Sequence, residues 1–363
     1  MSTAGDATRA EIRNGASFAS RLGFAAPALV AGGLAIGLTA LFAAAAGADP
    51  ARAIGSLLSG SVGSGASLAT TLLRAGPLLL TGIGVMLAFR SGVFNVGAEG
   101  QLLIGALAAT AVGTRLGAWP GQVVLVLLAG AVGGALWAAI AAWLRARRQV
   151  NEVITTILLN FVALYLVSWA VAGPLQESGR TYPQSDPFPD PAMLWRVPPG
   201  TRLHFGLVLA LLAAIGAGVL LSRTATGLRL RAAGLNPAAA RLAGFPVGRD
   251  LLLAFTLSGA LAGVAGAIEV AGVTGRLYER ISTGTGYTAI AVALLGGLRS
   301  GGVLLAALFF AALATGASAM ERSAGVSAVL ALAVQGATIL IVAITNRMSW
   351  TGLAASSGDR DGT

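Results

Sequence analysis

Apolar residues in this chain run in long unbroken stretches, and polar positions gather into short segments between them. Ten stretches stand out: residues 21–46, 68–89, 102–116, 122–144, 153–172, 204–221, 251–273, 287–298, 303–320 and 327–345. A helix of about 20 apolar residues crosses a bilayer. The pattern therefore predicts an all-α, polytopic membrane bundle of about ten transmembrane helices. Stretches 102–116 and 287–298 are short, so interrupted or re-entrant segments are expected within it. Polar tails at 1–20 and 348–363 flank a transmembrane domain over 21–347. Residues 49–65, rich in Gly and Ser, read as an exterior connection. Residues 173–203 carry Pro174, Pro183, Pro187, Pro189, Pro191, Pro198 and Pro199, a density that prevents regular helix. This segment is expected as an exterior loop.

Composition agrees with the membrane reading. The chain is 56% hydrophobic and 10% charged, with a mean hydropathy of +0.80, whereas soluble domains carry about 25% charged residues. Its 51 glycines suit close approach of membrane helices. A net charge of +10 would suggest nucleic acid in a soluble protein. Here the arginines fall between apolar stretches, where topology and lipid headgroups account for them. Arg145, Arg147 and Arg148, with the arginines of 222–250, place those segments and both tails on the cytoplasmic side.

What is missing narrows the chemistry. There is no Cys, and His204 is the only histidine, so thiolate and histidine metal clusters are excluded. The chain also has no Lys, which rules out a phosphate loop of the GxxxxGK type and a Schiff-base lysine. No catalytic site is expected. If ATP drives this protein, another subunit binds the ATP.

Two polar features remain. Residues 222–250 enclose a miniature helix: Asn236 can cap it, Pro237 suits its first position, and Gly244 can end it. Under two turns long, it has no independent stability and must be held by its flanks. Its small alanine face, Ala240 foremost, is expected to pack on a soluble partner, with Arg241 contributing charge; an ordinary solvated loop is the competing reading. The second feature is a set of polar residues inside apolar stretches: Asn95, Glu99, Gln101, Asn160, Glu269 and Gln335. Such groups are costly at membrane depth and face the protein interior. They fit a polar translocation path, and they also fit helix-to-helix hydrogen bonding. Glu269 reads as the most isolated acid, while Asn151 and Glu152 seat a helix start. AFRSG at 88–92 and GLRSG at 297–301 form a weak internal repeat, each breaking an apolar stretch with Arg and Gly.

Taken together, FRSGVFNVGAEGQLLIGA, VNEVITTILLNF, LRAAGLNPAAARLAGF and LSGALAGVAGAIEVAGV resemble one family. It is the permease subunit of bacterial ATP-binding-cassette importers, in the simple-sugar and nucleoside branch, related to ribose and branched-chain amino acid permeases. The likeness covers about residues 68–345. It implies a bacterial inner-membrane protein that is no enzyme and pairs with a second permease as a heterodimer. Two cytoplasmic ATPases, which bind the ATP, and an exterior solute-binding lipoprotein complete the implied assembly. The resemblance makes the Asn236–Pro237 helix a coupling element, with Gly234, Asn236, Pro237, Ala240, Arg241 and Gly244 as its residues. The RSGVFNVG run, where ribose permeases carry another glycine motif, favours nucleosides over free sugars. The competing function is a stand-alone ion-coupled transporter, which would need a buried acid pair or cation site from Glu99 and Glu269.

Overall fold

The computed structural model describes residues 31–197 and 201–327, with scattered positions up to 340. Its helices are α1 (Ala31–Ala45), α2 (Pro50–Val62), α3 (Gly65–Arg90), α4 (Ala98–Arg115), α5 (Gln122–Arg148) and α6 (Glu152–Ala172). They continue as α7 (Gly206–Arg223), α8 (Ala225–Leu235), α9 (Pro237–Leu242), α10 (Val247–Ile268), α11 (Thr285–Leu295) and α12 (Ser300–Ala324). A π turn, Glu269–Thr274, extends α10. Among the described residues two isolated bridges, Gln184 with Tyr278 and Arg196 with His204, are the whole of the β structure.

Among the described residues six helices are long and apolar enough to cross a membrane: α3, α5, α6, α7, α10 with its π turn, and α12. This is a helical membrane bundle and a multi-pass integral membrane protein, but not ten such helices. The difference has local causes. The first turns of α4 carry Glu99 and Gln101, which lowers the hydropathy of an 18-residue helix. α11 has 11 residues, roughly 16 Å at 1.5 Å each, against a hydrocarbon core of about 30 Å. The tenth expected stretch, 327–345, lies largely outside the described residues. Residues 49–65 are also corrected: they fold mostly into α2, started by Asp49 accepting from Ala51 N–H at 2.9 Å. Ala53, Leu57 and Ser61, four apart, form its buried stripe.

The chain divides into two units, residues 59–315 and residues 1–58 with 316–363. In the smaller unit Ala43, Ala53, Met320 and Val326 form a core. In the larger, α3 is central: 83% of its apolar window is buried, against 28% for α5 and α7. α4, α5 and α10 meet at glycines. A Cβ on Gly263 would reach Gly134 Cα at 3.0 Å, and one on Gly134 would reach Gly263 N at 2.9 Å. With lipid outside, such backbone-close packing is what holds membrane helices together.

Residues 173–197 form an irregular cap with a single 3-10 turn at Asp190–Ala192. Ser185 N–H donates to Leu277 O at 2.7 Å, Leu277 N–H returns to Ser185 Oγ at 2.9 Å, and Phe188 N–H donates to Gly275 O at 2.8 Å. The prolines forbid helix, so the cap's amides are satisfied by the segment after the π turn.

Candidate functional site

The break between α3 and α4 is where the polar residues converge. Arg90 ends α3, Gly92 takes a left-handed φ of 75°, and the chain re-enters helix at Ala98. Asn95 is fully buried and makes four hydrogen bonds. Its Nδ2 donates to Gln101 Oε1 at 2.9 Å and to Ser258 Oγ at 2.8 Å. Its Oδ1 accepts from Gly97 N–H and from Gln101 Nε2, each at 3.0 Å. Asn95 and Gln101 thus form a reciprocal amide pair. Asn160, on α6, accepts from Gly100 N–H at 2.8 Å and donates to Val96 O at 3.0 Å and Tyr287 Oη at 3.3 Å.

Glu99 points to a second break. Its Oε2 accepts from Gly286 N–H at 2.6 Å, and the Ser282 hydroxyl and Gly284 N–H also face it. α11 therefore starts in the interior, at the level of this carboxylate, and ends where Leu298 O accepts from Arg90 Nε at 2.9 Å. Gly286 is buried against Glu99, and α11 is a half-length helix. Ser258 lies eleven residues, roughly 16 Å, along α10 from its first residue. Irregular backbone is tolerated at such depth only where protein satisfies it, and here side chains do so.

Asn95, Glu99, Gln101 and Asn160 are thus brought together, and their polar groups are engaged within the chain. Glu269 stands apart, eleven residues beyond Ser258 on the same helix line. It is not isolated: Arg74 of α3 and Tyr278 are its electrostatic neighbours. Gln335 lies outside the described residues. Sequence reasoning missed Ser258, Ser282, Gly286 and Tyr287, small or single polar residues with no pattern of their own. Asn151 caps α6 as expected, accepting from Val153 N–H at 2.9 Å.

The miniature helix is present as α9. Asn236 Oδ1 accepts from Ala238 and Ala239 N–H, each at 3.0 Å, and Pro237 occupies the first position. At the other end Gly244, with φ 81°, donates to Arg241 O, and Phe245 N–H donates to Ala240 O, each at 3.0 Å. That is the paired bond pattern of a Schellman cap. One expectation is corrected: Ala240 is 3% exposed and faces its own chain, so it presents nothing to a partner. Outward stand Arg241 and the leucines Leu235 and Leu242, 88% and 90% exposed. Gly234 seats this segment on the first break, since a Cβ there would meet Gly92 N at 2.8 Å.

The family model described as "Branched-chain amino acid transport system / permease component" matches residues 67–343. The glucose ABC transporter permease protein TsgB13 of Haloferax volcanii is 40% identical over 334 residues, 88% of this chain and 87% of its own. The guanosine permease NupP of Bacillus subtilis is 36% identical, covering 86% of this chain and 90% of its own. The nucleoside permease NupB of Lactococcus lactis subsp. cremoris is 32% identical, covering 85% and 87%. No solved structure matches. A match of this extent, on a helical membrane bundle with a capped α9, settles the assignment: the chain belongs to the permease subunits of ATP-binding-cassette importers, in the sugar and nucleoside branch.

Proposed function

We propose that this permease forms half of a path for a nucleoside or simple sugar in a bacterial inner membrane, paired with a second, different permease. The names of its relatives support that substrate class. About ten membrane segments are proposed, counting α1, α4, the re-entrant, half-length α11 and residues 327–345 beside the six long helices. The face carrying α8 and α9 is cytoplasmic and the 173–203 cap exterior, in keeping with the arginines of 145–148 and 222–250. Over the cap docks a solute-binding lipoprotein. The chain has no catalytic site; ATP is bound by partner ATPases that contact α9.

The observation that carries the reading is the seat of α9. Gly234, at the end of α8 just before α9, lies in close backbone approach to Gly92 of the break that holds Asn95, Gln101, Glu99 and Asn160. A push on α9 is thereby delivered to the four residues that frame the path, with Glu269 further along it. Uptake of labelled guanosine and glucose by vesicles holding the complete complex tests this. ATP-dependent accumulation of one of them is expected; accumulation of neither, in vesicles whose ATPase is active, removes the substrate assignment.

A further inference from the structure

The glycine turns at Gly92 and Gly297 lie at one end of the bundle, and three arginines meet there. Arg90 Nε donates to Leu298 O at 2.9 Å, which brings the turn bearing Arg299 to the end of α3. A Cβ on Gly92 would meet Gly234 Cα at 2.9 Å, which brings the end of α8, and with it Arg231, to the same place. Arg299 and Arg231 are the like charges that bear on Arg90. Among the described residues the ion pairs are Arg145–Glu152, Arg229–Asp250 and Arg276–Glu177; none uses these three. Like charges held together repel, and among the described residues no ion pair offsets them.

Its depth and its flanks indicate what supplies the negative charge. The long apolar helix α3 stops at Arg90 and α12 starts at Ser300, so the cluster sits where apolar helices begin and end. Val93, just past Arg90, packs with Ala141 and Ala142 of α5, whose arginine-rich end is at the same level. Leu294 and Leu305, 45% and 50% exposed, flank Arg299 on α11 and α12. We propose that Arg90, Arg231 and Arg299 bind the phosphodiester headgroup of an anionic phospholipid, with an acyl chain along Leu294 and Leu305. A carboxylate from a soluble partner would satisfy the charge but would leave those leucines uncovered.

The complete complex, purified with phosphatidylcholine, can be titrated with phosphatidylglycerol and with further phosphatidylcholine under native mass spectrometry. Phosphatidylglycerol should bind preferentially, and Arg231→Gln with Arg299→Gln should reduce that preference by roughly fivefold for each arginine removed. The pair Arg147→Gln with Arg148→Gln, which removes equal charge from exposed positions on α5, should leave it unchanged. Equal losses in both pairs, or a preference that survives the first pair, overturns the proposal. So does release of the ATPase with phosphatidylglycerol binding intact, which would assign the cluster to a protein carboxylate. Arg299→Gln alone keeps the test readable, because this exposed side chain forms no ion pair among the described residues.

Discussion

Glu99 accepts the backbone N–H of Gly286 at 2.6 Å, so one carboxylate serves the first turns of two helices. Glu99 belongs to the first turn of α4 and caps α11, and both N-termini carry partial positive charge that favours it. Removing it leaves a buried donor unpaired, which costs about 1–3 kcal/mol. Glu99→Ala should therefore lower the thermal stability of the purified complex by that order and reduce uptake. Glu99→Gln, which keeps an acceptor oxygen, should recover most of the stability. If alanine and glutamine melt together at the wild-type temperature, the carboxylate does not hold α11.

The α4–α5–α10 seam makes a different demand, for absence of side chain. A Cβ on Gly263 or Gly134 runs into the facing backbone, whereas one on Gly216 of α7 meets nothing within 4 Å. Overpacking costs about 1–3 kcal/mol where neighbours can shift, and backbone cannot readily shift. Gly263→Leu should abolish recovery of folded protein from membranes, while Gly216→Ala should leave the yield unchanged. Equal yields from both would show that the seam is loosely packed.

Which parts of this could be read beforehand follows the range of the interactions. α9 was readable to the residue, because Asn236, Pro237 and Gly244 act on backbone within a few positions of themselves. The direction of Ala240 was not, since three successive alanines in a six-residue helix do not mark which side faces the chain. The near-match of AFRSG and GLRSG pointed to two related breaks, but not to the hydrogen bond that joins Arg90 to Leu298. Hydropathy finds runs and is blind to depth, so α11 passed for a crossing helix. Likewise Glu269 looked alone because Arg74 lies on a distant helix.

Sidedness can be read directly, since the chain contains no cysteine to confuse a label. Tyr182 and Arg147 are both exposed, one in the cap and one at the end of α5. An impermeant maleimide added to intact cells should label Tyr182→Cys and spare Arg147→Cys. The reverse pattern would invert the proposed orientation of the whole permease.

The cap should respond to acid. Glu177 is held below its usual pKa first by the Gln184 side chain and then by Tyr182 N–H. Asp186 is held down by the N–H and then the hydroxyl of Ser178. Because the folded values are depressed, these contacts contribute fully above the ordinary carboxylate range and are lost as pH falls through the folded values. Amide exchange at Ser178 and Tyr182, corrected for its intrinsic rate, should accelerate only once the pH falls below the ordinary carboxylate range. Ser185 and Phe188, which donate to backbone carbonyls instead, should stay protected. Simultaneous loosening of all four amides would mean that the cap opens as a unit, independently of these acids.

The last prediction concerns the outward side of α9. Leu242 is 90% exposed on a helix fixed at both ends, which a water-facing role does not require. If it enters an apolar groove on the ATPase, burying it contributes about 1.5–3 kcal/mol, or roughly 10- to 100-fold in affinity. Leu242→Asp should then release the ATPase during co-purification and stop ATP-driven uptake while the permease stays folded. Arg241→Glu should act through charge, weakening association most at low salt and little at high salt. Ala240→Trp should behave otherwise, because Ala240 is buried in its own chain. It should destabilise the segment by about 1–3 kcal/mol through overpacking. Asn236→Ala should cost about 1 kcal/mol of local helix order and reduce coupling mildly. The deciding measurement is the amount of ATPase retained by each variant, read beside uptake per retained complex. Leu242→Asp that keeps its ATPase and transports at the wild-type rate would take the contact away from α9.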